Sequence, residues 1–183
     1  TPTLSSAASD VYKRQLENRL PQDDSGYVPM NLKELVDSAW SSIRPLAEQR
    51  SIRLSLNCCD ESRMLGDQQR LHRAVLNLLD NALRYSPNDN SVDVKILSSG
   101  AWWIVSIRDH GSGLSESDLK GMFQRFYRGD PSRARSARSG SGLGLSIVQQ
   151  IAVNHGGRVE ARNHPDGGAC MELLLPKELS VGA

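Results

Sequence analysis

Leu32, Leu35, Val36, Ala39, Trp40, Ile43 and Leu46 recur at helical spacing and predict a first long helix. Asn31 is placed to cap it, with Glu34 three residues on in a near capping box. Ile52, Leu54 and Leu56 then alternate with Arg53, Ser55 and Asn57, the pattern of a half-buried strand. Asp67 caps a second helix that runs to about Tyr85, where Ser86-Pro87-Asn88-Asp89-Asn90 breaks it. Val92, Val94 and Ile96 alternate, as do Trp103, Val105 and Ile107, and Ser98-Ser99-Gly100 between them makes the two runs an antiparallel hairpin. Asp109 is followed by glycine turns and a short helix near Glu116–Phe126. Residues 129–140, rich in Arg, Ser and Gly, predict a flexible loop. A third long helix covers about Ser141–His155 and ends at Gly156-Gly157. Arg158–Arg162 and Ala169–Leu175 flank the turn His164–Gly168 and form a closing hairpin. Helices that interleave with strands paired mostly as hairpins predict a two-layer α/β sandwich. Its sheet is mixed and largely antiparallel, with three main helices on one face, rather than doubly wound and parallel.

Composition changes this picture little. At 183 residues the chain has room for one domain with a full core. Its 38% hydrophobic and 23% charged residues are those of an ordinary globular protein. A net charge of +1 gives no bulk attraction to nucleic acid or to a membrane surface, and no nucleic-acid partner is expected. Locally the charge is uneven: Arg125, Arg128, Arg133, Arg135 and Arg138 crowd one segment, with Asp130 the one acid among them. Cys58, Cys59 and Cys170 form neither a disulfide framework nor a CxxC pair, so a reducing, cytoplasmic compartment is expected. No apolar run approaches a membrane span and no signal peptide is visible. Residues 1–15 read as a disordered or foreign tail, 16–27 as a helix remnant and linker, 28–178 as the domain, and 179–183 as a short C-terminal tail.

Candidate chemistry gathers in three places. On the second helix, Leu71, Val75, Leu78, Leu79 and Ala82 form the apolar stripe, and Asn77, Asn81 and Arg84 lie nearly opposite. That polar face is either simply solvated or a ligand face. Asn is a mediocre helix former, and two of them one turn apart supply amide oxygens for a hard cation and N–H groups for phosphate. The run Asp109–Gly113 (DHGSG) is either a tight turn or a ligand loop. In the second case its glycines keep side chains clear and Asp109 accepts from a donor such as an adenine amine. The run Gly140–Ser146 (GSGLGLS) opens a helix, where free N–H groups can bind phosphate. Phe123, Phe126 and Tyr127 flank Arg125 and Arg128: the phenylalanines are expected to join the core, and either arginine can reach a γ-phosphate. There is no GxxxxGK[ST], so any ATP is held without a P-loop.

Taken together and in order, NLLDNALRYSP, DHGSG, MFQRFYR and GSGLGLS resemble the N box, first glycine box, F box and second glycine box of the catalytic ATP-binding domain of bacterial sensor histidine kinases. HGG at His155–Gly157 is similar as well. The resemblance covers about Val28–Pro176 and implies the Bergerat fold shared with gyrase, Hsp90 and MutL. It implies that Asn81 is a magnesium ligand and catalytic, and that Asn77 touches phosphate or the metal shell. Arg84 stands where the family often has Lys and would meet phosphate, and Tyr85 would pack on adenine. Asp109 would read the adenine amine, with Gly111 and Gly113 as its glycines. Gly140, Ser141, Gly142, Leu143, Gly144 and Leu145 would form the second glycine box, with Gly129–Ser139 as a mobile ATP lid. Arg125 and Arg128, from the chemistry of their own segment, are the candidate catalytic cations.

The implied ligands are ATP and Mg²⁺. The implied partners are a dimerising phosphoacceptor hairpin and a cognate response regulator, within a homodimeric, membrane-anchored parent. One family feature is missing: His72, His110, His155 and His164 all lack the acceptor's sequence context and read as ordinary surface or turn histidines. Lys13–Leu20 (KRQLENRL) resembles the last turns of the hairpin's second helix, so the acceptor is expected to lie outside this chain. A degenerate nucleotide-binding module or a gyrase- or Hsp90-type ATPase are the alternatives. The intact Asn and Gly set opposes the first, and MFQRFYR opposes the second.

Overall fold

A computed structural model describes residues 26–59, 62–127 and 142–178. The expected tail 1–15, most of the linker, the lid 129–139, and Arg128, Gly140 and Ser141 lie outside the described residues. In chain order the elements are β1 (Val28–Asn31), α1 (Leu32–Gln49), β2 (Arg53–Cys58), β3 (Arg63–Gly66), α2 (Gln68–Tyr85), β4 (Ser91–Ser99), β5 (Trp102–Arg108), α3 (Glu116–Gly121), α4 (Gly144–Asn154), β6 (Arg158–Asn163) and β7 (Ala169–Pro176).

Five strands form the main sheet in the order β2-β4-β5-β7-β6. β2 runs parallel to β4, with Leu54 beside Val92, and every other pairing is antiparallel. The expected mixed, largely antiparallel sheet is therefore present. Period-two alternation turns Val92, Val94 and Ile96 of β4, Trp103, Val105 and Ile107 of β5, and Met171, Leu173 and Leu175 of β7 into one core. From the helical layer, α2 supplies Leu71, Val75, Leu78, Leu79 and Leu83, all fully buried. Each such side chain is worth about 1.5–3 kcal/mol of burial. The opposite sheet face is polar: Arg162 meets Glu172 at 2.7 Å, and Arg158 lies 5.0 Å over the Trp102 ring.

Asn31 caps α1, its Oδ1 accepting from Lys33 N at 2.8 Å. Asp67 caps α2, accepting from Arg70 N at 3.0 Å. Two short strands escape the sequence reading. β1 pairs antiparallel with β3, with Met30 opposite Met64, and the Trp103 Nε1 donates to the Arg63 carbonyl at 3.0 Å to tie this ribbon to the sheet.

Two helix bounds also differ from expectation. α3 stops at Gly121 instead of continuing to Phe126, because the chain folds back and sets the Tyr127 ring where a Gly121 side chain would be, 2.6 Å from a Cβ there. The fold-back leaves Phe126 with φ +62 and 72% exposed, so Phe126 does not join the core, whereas Phe123 does pack against it. α4 begins at Gly144 rather than Ser141, since Gly142 takes φ +71 and cannot be helical.

Candidate functional site

α2 carries the site along one side. Asn77 and Asn81 lie one turn apart and half-buried. Asn77 is no solvated back face: the first turn of α4 sits on it, so close that a Cβ on Gly144 would be 3.5 Å from its Oδ1. Its Nδ2 is buried and has no hydrogen-bond partner among the described residues. A buried amide donor left without an acceptor costs about 1–3 kcal/mol, so this group fits an acceptor supplied by a ligand. Beside it, Leu143 occupies the N-cap of α4 and its side chain makes no capping hydrogen bond to that helix start. Leu145, one residue into the helix, packs against the core.

At the C-terminal end of α2 the loop after β5 docks. Gly111 lies against Tyr85 so tightly that a Cβ would come within 2.5 Å of the Tyr85 carbonyl oxygen. His110 N donates to the buried Ser86 Oγ at 3.4 Å. Asp109 is 4% exposed, and its Oδ1 accepts from Gly111 N at 2.8 Å and from Ala169 N at 3.1 Å, which aims the carboxylate. Gly113 takes φ +80, and a Cβ there would meet Asn163 Oδ1 at 2.8 Å. What the missing side chains of Gly111 and Gly113 make room for is thus the protein itself.

Arg84, expected near phosphate, pairs with Asp80 at 3.0 Å on α2. Arg125 is exposed beside Arg70 and Arg73 in a groove between α2 and α4. No three His, Cys, Asp or Glu side chains gather to hold a metal among the described residues. No described helix is long and apolar enough to cross a membrane.

Sequence reasoning missed the roles of four supporting residues. Arg50, at the end of α1, reaches across to cap α2: its guanidinium donates to the carbonyls of Leu83 and of Ser86, the latter at 2.6 Å, and its Nε donates to Asn88 Oδ1 at 3.0 Å. Asn163 clamps the glycine loop, accepting from Leu114 N at 2.6 Å and donating to the Leu114 carbonyl at 2.9 Å. His155 is not a surface histidine but 1% exposed. Its Nδ1 donates to the Ile151 carbonyl at 2.8 Å and its Nε2 accepts from Asp67 N at 3.1 Å, which fixes the neutral tautomer and joins the end of α4 to the start of α2. The Tyr27 ring stacks on it at 5.0 Å. Burial pushes this imidazole below its ordinary range, outweighing the opposing pull of the Ile151 carbonyl. His110 is likewise more than a turn residue, with its Nε2 2.8 Å from Asp93 Oδ2. Burial raises the Asp93 carboxyl, but the Ser91 and His110 hydrogen bonds, with the nearby His110 and Arg108 charges, together hold it below the usual carboxylate value.

An α/β sandwich that sets an asparagine-bearing helix between two glycine turns is built to hold a nucleotide in its helical layer. Over residues 66–179 the chain matches the Histidine kinase-, DNA gyrase B-, and HSP90-like ATPases, and it belongs to that family. It is 42% identical to the Sensor protein SphS of Synechococcus elongatus over 173 residues, which is 90% of this chain and 42% of SphS. It is 35% identical to the Sensor-like histidine kinase SenX3 of Mycobacterium tuberculosis over 167 residues, 91% of this chain and 40% of SenX3. The chain thus spans about two fifths of the length of these relatives. Among solved structures it is similar to the mycobacterial sensor histidine kinase MprB, with TM-score 0.71 and 28% identity over 84% of this chain and 99% of that one. The ATP binding domain of PrrB from Mycobacterium tuberculosis gives TM-score 0.66 and 29% identity over 84% and 98%. Within its family, the chain is an ATP-binding catalytic domain of the sensor histidine kinase type.

Proposed function

We propose that this domain binds Mg-ATP and presents the γ-phosphate to a histidine on a separate dimerisation hairpin of its parent. The observation that carries the reading is the buried, unpartnered Asn77 amide beneath the uncapped start of α4, since both offer donors to one phosphate chain. In this reading Asp109, aimed by Gly111 N and Ala169 N, accepts from the adenine amine. Tyr85 packs on the base, and Gly111 and Gly113 hold the loop in place. Asn77 and the turn Gly140–Leu145 hold phosphate oxygens. Asn81 would offer its amide oxygen to Mg²⁺, a metal that seldom uses an all-protein cage. When bound there, Mg²⁺ would supply charge neutralisation to the phosphates. Arg125 and Arg128 add positive charge at the γ-phosphate. Arg84, held by Asp80, acts at most from a distance.

The chain's residues supply position and charge, which is most of what phosphoryl transfer needs. The acceptor imidazole nitrogen forms the new bond to the γ-phosphorus, the bond to the β–γ bridging oxygen breaks, and ADP leaves. The domain limits, 28–178, the homodimeric, membrane-anchored parent, the cytoplasmic setting and the cognate response regulator belong to the same proposal.

Calorimetry with and without Mg²⁺ tests the metal assignment. Asn81→Ala should lose most of the metal-dependent part of ATP affinity and little of the metal-free part. Equal losses in both conditions would remove Asn81 from the metal.

A further inference from the structure

Between the N-terminal half of α2 and α4 lies an open groove of about 480 Å³, with Arg125 and Phe126 at its lip. Arg70, Arg73 and Arg125 face it together with Ser146 and Gln150, and among the described residues no acidic side chain lines it. Arg70 is neutralised by Asp67 at 3.1 Å. Arg73 and Arg125 have no ion-pair or hydrogen-bond partner among the described residues, so two guanidinium charges converge on one groove uncompensated. Such a groove attracts an anion and favours the planar, multidentate contacts of a phosphate.

Its position says which anion. The base end of the site is at the C-terminus of α2, where the Asp109 loop packs on Tyr85. Tyr85, Asn81, Asn77 and Arg73 follow at intervals of four residues toward the N-terminus of α2. Helical rise puts the level of Arg73 about 12 Å beyond that of Asn81. The groove also opens beside Asn77, because Leu143 and Ser146 line it while Gly144, between them, sits on the Asn77 amide. A phosphate chain that starts at Asn81 and passes Asn77 therefore meets Arg73 next.

We propose that Arg73 is a binding residue for the terminal phosphate, opposite Arg125, and that this groove distinguishes nucleoside triphosphate from diphosphate. The inference rests on the nucleotide reading above. It assigns to the N-terminal half of α2 a role that the asparagines alone do not supply.

Calorimetry on the whole 183-residue chain in Mg²⁺ tests it, using a non-hydrolysable ATP analogue and ADP against wild type, Arg73→Gln and Arg73→Lys. Arg73 is exposed, so neither variant should disturb folding, and a melting curve checks this. Arg73→Gln should weaken the triphosphate about tenfold and ADP less than twofold, with Arg73→Lys between the two proteins. Equal losses for both nucleotides, or no loss for either, would overturn the assignment and leave Arg73 a solvated arginine. No binding of either nucleotide by wild type would overturn the nucleotide reading itself and this assignment with it.

Discussion

Replacing Asn77 by leucine should stabilise the free domain while removing its response to nucleotide. The Asn77 Nδ2 is buried without a partner, and the side chain lies against Gly144 at the start of α4. A buried unsatisfied donor costs about 1–3 kcal/mol, and an apolar group of similar branched shape does not incur that cost. Leucine is bulkier than asparagine, and strain from overpacking against α4 takes back part of the gain. A net stabilisation of about 1 kcal/mol corresponds to a rise in melting temperature of about 2–4 °C for a domain of this size. Nucleotide acts oppositely on the two proteins. Ligand at about a hundred times its dissociation constant adds about 2.7 kcal/mol to wild type. The variant, without the amide that meets phosphate, should gain little at the same concentration. Thermal unfolding followed by circular dichroism, with and without Mg-ATP, reads both effects. A variant that melts below wild type without nucleotide, or that keeps the full nucleotide-induced rise, would refute the assignment of that amide to a ligand.

Two further outcomes follow from the site. His155 is held neutral, with a depressed protonation point, so the unfolded chain binds more protons than the folded one as pH falls below about 6.5. Stability from this residue is complete above that pH and is lost progressively below it; urea titrations from pH 7.5 to 5 should show the decline, and His155→Gln should flatten it. Asp109→Asn should weaken ATP more than GTP, because an amide can present a donor to the adenine amine where the carboxylate only accepts, a mismatch worth about 1–3 kcal/mol; equal losses in a competition assay would show that Asp109 does not read the base.

Most of the fold was legible because its elements carry strong periods. The apolar stripe Leu71–Leu83 and the alternating runs of β4, β5 and β7 each point inward by their spacing alone. The ribbon of β1 and β3 was not legible, since strands of four residues such as Val28–Asn31 leave no period to detect, and their pairing is with each other rather than with a neighbour in sequence. The outward turn of Phe126 depends on a left-handed backbone that an aromatic residue rarely adopts, with Phe126 N held by the Gly142 carbonyl at 3.1 Å. The motifs marked Asn77, Asp109 and the glycine turns, but their surroundings were hidden. Arg50 lies 33 residues from Leu83 and His155 lies 88 from Asp67, so neither partnership leaves a local signal. Arg73 sat in plain view on α2, one turn before Asn77, and only the groove against α4 gives it a role.

The domain is expected to supply a γ-phosphate to a histidine on a separate hairpin and not to any of its own four. Incubation of the 183-residue chain with γ-labelled ATP, alone and with the dimerisation hairpin of a closely related sensor kinase, tests it most directly. Alone, the chain should form no phosphohistidine. His155 is buried, His110 is bound to Asp93, His164 Nδ1 accepts from Asp166 N at 3.1 Å in a hairpin turn, and His72 lies on α2 outside any acceptor context. With the hairpin, acid-labile and base-stable label should appear on the hairpin histidine, slowly, because no tether raises the effective concentration. Such label on the chain alone, or none on a competent hairpin despite good ATP binding, would contradict the account.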